Sequence, residues 1–325
     1  MHSTLSVVAA AAALLTGAAC FAQTYPVKTV RILVQSPPGG VQDLIARATA
    51  QELSKLWGQG VIVENRPSAG GILAAETVAR APADGYTVLQ TGGGTVLANE
   101  FLRKSLPYDS YKDFAPVVIL IASNNIMVAS PKLPASNMRE LIALARAKPG
   151  ALNYASLGIG HNTHIDTAAI LREAGAEATH VPYKGGTPAL QAMASGEVDF
   201  GITGITAAIP LVRQGRLKAL AYTGLKRSEL FPDLPTLAES GFPGFESGSW
   251  FGWFVPAGTP RAIIDRIATD SSRVISVPAF KEKHITAAGH ELVAAPSSRF
   301  AELLAVQRKV FAARIKPLNL KIEDE

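Results

Sequence analysis

Apolar and polar positions along the chain fall into two alternating patterns. Short, almost wholly apolar runs at 28–34, 61–64, 86–90, 117–122, 152–156, 179–183, 198–203 and 217–223 read as β-strands; runs of this kind suit strands covered on both faces. Between them lie stretches with helical spacing. Leu44, Ile45, Ala48, Leu53 and Leu56 mark one face of a helix over 42–57 that Gly58 ends. Thr187-Pro188 opens a helix closed by Gly196, and Thr259-Pro260 opens another that runs through Ile275, each with a capping hydroxyl followed by proline in the first turn. Ser136 precedes a helix that stops at Pro149-Gly150, and Ser298 precedes a long amphipathic helix over 300–315. Strand and helix in alternation predict an α/β protein of mainly parallel sheets flanked by helices.

Length and composition refine that picture. With 325 residues, 48% of them hydrophobic, the chain is long enough for about two domains with full cores. Residues 7–22 carry no charge and end in small residues around Cys20 and Ala22, the form of a secretory signal peptide. The mature protein is therefore expected in the periplasm, beginning near residue 23. Cys20 is the only cysteine; it leaves with the signal, or becomes a lipid anchor if the segment Gly17-Ala18-Ala19-Cys20 is read as a lipoprotein box. Paired-thiol chemistry and cysteine-rich metal sites are excluded either way. The net charge of +5 is spread without a basic run, which argues against a nucleic-acid partner and is compatible with a small anion.

The search for catalytic chemistry is mostly negative. Ser156 has Tyr154 where a nucleophile elbow needs glycine. His161 and His164 stand three apart with Asp166 nearby; they form the best candidate for an exported enzyme's active site, but without a third strong ligand they make no metal site. No catalytic residue, metal or cofactor is assigned. What recurs is a glycine-rich or small-residue turn between a strand and a helix: Ser36-Pro37-Pro38-Gly39-Gly40, Thr91-Gly92-Gly93-Gly94-Thr95, Ala155-Ser156-Leu157-Gly158-Ile159-Gly160 and Lys184-Gly185-Gly186-Thr187-Pro188. Such turns let a ligand approach the backbone and leave N–H donors at a helix start, where an anion is favoured. Asp43 is either an acceptor for a ligand group or a helix-start carboxylate favoured by the dipole. Trp250, Phe251 and Trp253 read as packing under a cleft rim.

At these turns the chain resembles a known family. Pro38-Gly39-Gly40 with Asp43 and Ala46-Arg47, Val63-Glu64-Asn65-Arg66-Pro67 with Ala69-Gly70-Gly71, Asp84-Gly85-Tyr86-Thr87, Leu106-Pro107-Tyr108-Asp109, Asn153-Tyr154-Ala155-Ser156, His180-Val181-Pro182-Tyr183-Lys184-Gly185 and Pro256-Ala257-Gly258-Thr259-Pro260 resemble, in order, the periplasmic solute receptors of tripartite tricarboxylate transporters, often called Bug proteins. The resemblance implies a hinged, two-domain periplasmic binding protein of type II. Its first domain would take residues 23–123 and 225–325 and its second 124–224. It implies a monomer that captures a small organic carboxylate and docks on membrane permease subunits, or on a sensor protein. Carried onto this chain, the ligand-binding residues would be Ser36, Pro38, Gly39, Gly40, Asp43, Thr91, Gly93, Ser156, Gly158, His161, Asn162, Thr163, Lys184, Gly185 and Gly186. Two departures bear on the ligand: Ser36 stands where relatives commonly carry an aromatic residue, and His161 where a small serine is usual.

Overall fold

The computed structural model describes residues 25–183 and 185–319; the expected signal segment, Cys20 and Lys184 lie outside the described residues. The strands, in chain order, are β1 (Val30–Val34), β2 (Val61–Asn65), β3 (Thr87–Thr91), β4 (Phe114–Ala129), β5 (Asn153–Ser156), β6 (Thr179–Pro182), β7 (Phe200–Gly204), β8 (Lys218–Tyr222), β9 (Gly248–Pro256) and β10 (Glu291–Pro296). The helices that matter for the site are α1 (Val41–Trp57), α2 (Ile72–Ala79), α3 (Asn99–Leu102), α4 (Met138–Ala147), α5 (Asn162–Glu173), α6 (Gly186–Ser195), α7 (Ile205–Arg213), α8 (Arg261–Ile275), α9 (Pro278–Lys281) and α10 (Ser297–Ile315). Hydrogen bonding orders the strands β2-β1-β3-β9-β4-β7-β5-β6, with β8 and β10 also pairing with β4.

The sheet is mixed. Its flanks are parallel, β1 with β2 and β3 and β5 with β6 and β7, while everything that pairs with β4 runs antiparallel to it. β4 is the longest strand and changes partners along its length. Up to Asn124 it pairs with β9 and β10, and from Asn125 onward with β7 and β8. Each half of the sheet has its own core on both faces. In the first half Ile32, Leu120 and Trp253 pack with Ile45 and Ile267, while Leu33, Ile119 and Phe254 pack with Phe300 on the opposite face. In the second half Met127 and Phe200 pack with Leu141 and Ile170, while Ile126 and Val128 face Leu190 and Ile205. Successive strand residues point to opposite faces, and both faces are covered, which is why the strands read as unbroken apolar runs. The loop after β8 also belongs to the second half by packing, since Leu237, Phe242 and Phe245 are buried with Met127 and Tyr154. The chain returns to the first half at Gly248.

Several local expectations are corrected. β4 extends well beyond 117–122 on both sides because irregular pairing at Pro116 and around Ile119 keeps the strand going past its proline. β9 and β10 are not evident in the apolar pattern: glycines interrupt the first, and the second is part-exposed with Ala294 at a left-handed φ of 47°. The capping residues also shift. Asn137, not Ser136, accepts the Glu140 N–H at 3.0 Å, while the Glu140 carboxylate accepts the Ser136 N–H at 2.7 Å, a capping box one residue later. Gly185 and Pro260 occupy the caps assigned to Thr187 and Thr259, and the Thr259 hydroxyl donates instead to the Pro256 carbonyl at 2.7 Å. On α1 the buried face is Ile45, Ala46, Thr49, Ala50 and Leu53, and both Leu44 and Leu56 are exposed.

Candidate functional site

The two halves of the sheet face each other across a cleft of about 910 Å³. The turns that follow β1, β2 and β3 form one wall, and the turn that follows β5 faces them. Ligand crevices in open α/β sheets form at these carboxyl ends of parallel strands.

The β1 turn is held from behind. Asp43 is buried, and its carboxylate accepts the Gly39 N–H at 2.9 Å, the Arg47 Nε–H at 2.9 Å and the Asn65 side-chain amide at 2.8 Å. Burial pushes the Asp43 pKa up, but these hydrogen bonds and the Arg47 charge outweigh it and hold the carboxyl below its usual range. Asp43 therefore organises the turn and does not line the cleft. The Gly39 amide is occupied by this contact, and the Gly40 amide turns back to the Pro37 carbonyl at 3.4 Å. Pro38, Gly39 and Gly40 are not among the cleft-lining residues; Gln35, Ser36, Pro37 and Gln42 are. The Ser36 hydroxyl and Gln42 Oε1 are buried polar atoms with no hydrogen-bond partner. α1 also begins at Gly40 with no side-chain cap, so its first turn keeps open donors.

Thr91 is fully buried and acts one step back. Its hydroxyl donates to Gln35 Oε1 at 2.7 Å, and Thr95 donates to the same oxygen. Gly71, at a left-handed φ of 74°, closes over this group so tightly that a Cβ there would stand 2.0 Å from Gln35 Oε1. Gly93 does line the cleft, where its bare α-carbon lets Phe311 and the Trp250 indole approach. The Trp250 indole N–H donates to Gln307 and so ties β9 to α10. Of the three aromatic residues near the rim, Trp250 and Phe251 line the cleft. Trp253 is buried, with its indole N–H on Gln90 Oε1 at 2.8 Å.

On the facing wall Ser156 and Thr163 serve as framework. The Ser156 hydroxyl lies 2.6 Å from His180 Nε2 and also bonds both the carbonyl and the N–H of Gly158. Thr163 accepts the Leu157 N–H at 3.0 Å. His180 stacks between His164, with ring centroids 3.7 Å apart, and Tyr154 at 4.9 Å. Desolvation lowers the pKa of both histidines, that of His164 to about 4 with the neighbouring His180 adding to the effect, so the stack is uncharged at neutral pH. The turn presents Gly158, Ile159, Gly160, His161 and Asn162 to the cleft. His161 caps α5 through Nδ1, which accepts the Thr163 N–H at 3.2 Å; desolvation between the cleft walls lowers its pKa, less than full burial would, because the residue stays exposed to the cleft. Asn162 reaches across to the Gly248 carbonyl at 3.3 Å. Gly185 and Gly186 start α6 and do not appear in the lining.

His161, His164 and Asp166 do not converge. The His164 Nδ1 accepts the Gly160 N–H at 3.1 Å, and Asp166 pairs with Arg314 of α10 at 2.7 Å. Among the described residues no group of three or more His, Cys, Asp or Glu gathers around them. Sequence reasoning missed two parts of the site: the turn of Ser68, Gly70 and Gly71, and the face of α10 that carries Leu303, Val306, Gln307, Val310, Phe311 and Arg314. The spacing of that face, at 303, 306, 310 and 314, is a helical stripe visible in the sequence. On the helix's first turn Phe300 is fully buried in the core, while this stripe borders the cleft.

The family model for the tripartite tricarboxylate transporter family receptor matches residues 45–320. Protein BugT of Bordetella pertussis is 36% identical over 244 residues, 75% of each chain. Two solved structures of Rhodopseudomonas palustris proteins are similar throughout, each 32% identical and covering 90% of this chain. One, solved with adipate, has a TM-score of 0.77 and is covered over 98% of its length; the other, MatC with bound malate, has a TM-score of 0.75 and is covered completely.

Proposed function

Because this chain belongs to the tripartite tricarboxylate transporter receptor family, a family of solute-binding receptors and not of enzymes, we propose that it captures a small organic carboxylate in the cleft and presents it to membrane permease subunits. One observation carries the reading: the Ser36 hydroxyl and Gln42 Oε1 are buried in the cleft wall without a protein partner. A buried polar group left unpaired is costly, so a ligand or its water completes these two. The carboxylate accepts from the Ser36 hydroxyl, from the Gln42 amide turned to offer its N–H₂, and from the open first turn of α1. Gly93 on the same wall and Gly158, His161 and Asn162 opposite enclose it. Asp43, Thr91, Ser156 and Thr163 hold those groups in place from behind, and Pro38, Gly39, Gly40, Gly185 and Gly186 stand outside the direct contacts.

The halves close as two domains over the ligand. We place the crossings at Asn124–Asn125 and Ser247–Gly248, moving the second from the expected 224–225, because the loop carrying Leu237, Phe242 and Phe245 packs in the second core. Residues 1–22 serve as the export signal, so capture takes place in the periplasm; two solved relatives carry an acid, adipate or malate. The test is a thermal-shift screen of the exported protein against mono-, di- and aromatic carboxylates. A ligand at a hundred times its Kd stabilises the folded state by about 2.7 kcal/mol, and Ser36→Asp, which places a like charge at the acid's seat, removes the shift. A neutral sugar that stabilises the protein where every acid fails overturns the reading.

A further inference from the structure

The cleft of about 910 Å³ has an extended apolar wall. Three large apolar side chains that stand exposed, Ile159 (57%), Val306 (61%) and Val310 (37%), all face this one cavity. Singly exposed apolar residues are ordinary, but a cluster of them inside a concave site marks a surface that a ligand covers. Leu102 and Leu303 extend the same surface, and Phe311 floors it against Gly93. The charged groups in the described lining are Arg103, Asp166, Glu246 and Arg314, two of each sign, so the wall offers no surplus of positive charge to a second carboxylate. Arg314 is moreover engaged: its guanidinium donates to Asp166 at 2.7 Å and to the Glu246 carbonyl at 2.9 Å, and lies over the Phe245 ring at 4.0 Å. The nearby Glu246 carboxylate disfavours another anion there.

We infer that the ligand is a monocarboxylate with an apolar body: its acid end meets Ser36 and Gln42, and its body lies against Ile159, Val306 and Val310. This rests on the carboxylate reading above and deepens it. Burial of the body removes both the ligand's carbons and these side chains from water, which favours each added methylene by roughly fourfold in affinity until the compartment is full.

The experiment is calorimetric titration of the purified protein with straight-chain monocarboxylates from butanoate to octanoate, and with adipate as the diacid matched to hexanoate. Affinity is expected to rise severalfold per methylene, with hexanoate tighter than adipate. Val306→Asp and Val310→Asp, on an exposed helix face where folding tolerates a polar residue, are expected to weaken octanoate at least tenfold and butanoate less than threefold. Acids that bind with no dependence on chain length, adipate binding tighter than hexanoate, or octanoate indifferent to both variants each overturn the apolar compartment while the carboxylate reading stands. If no acid binds at all, the carboxylate reading itself falls and this inference with it.

Discussion

Replacing Arg314 by glutamine tests how α10 is held to the second half of the molecule. Asp166 projects from α5, and its carboxylate is enclosed, with a side chain 6% exposed against 19% for Arg314. Removing one partner of a fully buried ion pair costs about 3–5 kcal/mol, because the surviving charge is stranded. Water reaches the arginine's edge, so a loss of about 2–3 kcal/mol is expected here. For a chain of this size that is a fall in Tm of about 3–5 °C. The pH dependence gives a sharper signature. Burial already raises the Asp166 pKa above the ordinary 3.8, against the opposing pull of Arg314 and Ser247, and loss of the cation raises it further. A carboxyl whose folded pKa lies above its unfolded value binds its proton preferentially in the folded state, so stability is fullest at low pH and falls as pH rises through that window. The deficit of Arg314→Gln is therefore expected to be small near pH 4 and largest at neutral pH. It should shrink when Asp166→Asn is added, which a double-mutant cycle of thermal melts reads directly. A deficit equal at both pH values, or unchanged by Asp166→Asn, would refute the buried-pair account.

The other expectations are more local. Gly71→Ala combines a left-handed backbone with a Cβ set 2.0 Å from Gln35 Oε1 and 2.6 Å from Thr95 Oγ1, and is expected to lower unfolding free energy in urea by about 2–4 kcal/mol; a loss under 1 kcal/mol would show that the Gln35 cluster gives way easily. His164 titrates near 4 in the folded protein against an ordinary 6.5, so folding excludes its proton and the associated stability, present above 6.5, is lost as pH falls toward 4. His164→Asn should flatten that limb of the melting profile, and an unchanged slope would remove His164 as its source. Asp43→Asn removes the charge and leaves one acceptor oxygen where Gly39, Arg47 and Asn65 draw on two. It is expected to destabilise the fold by about 1–3 kcal/mol and to weaken ligand binding through the turn it holds; calorimetry that finds affinity intact would separate the turn from the site.

The sequence by itself carried the α/β architecture, because strands covered on both faces must be apolar throughout and helices must show their stripe. It also carried the family, because glycines and prolines at fixed turns are set by backbone geometry that side chains cannot replace. Of the residues it offered for a ligand, Ser36, Gly93, Gly158, His161 and Asn162 line the cleft. What it could not settle is which polar atom is spent and which is free. Asp43, Thr91, Ser156 and Thr163 have the chemistry of ligand contacts, yet each is taken by a neighbour that only folding supplies: Arg47 and Asn65, Gln35, His180, and the Leu157 amide. Nor could it tell that α10, nearly 150 residues from α5 along the chain, turns Val306 and Val310 into a cleft instead of into a core. A helical stripe states that a face is apolar; what covers that face depends on packing between distant segments, and that is decided in three dimensions.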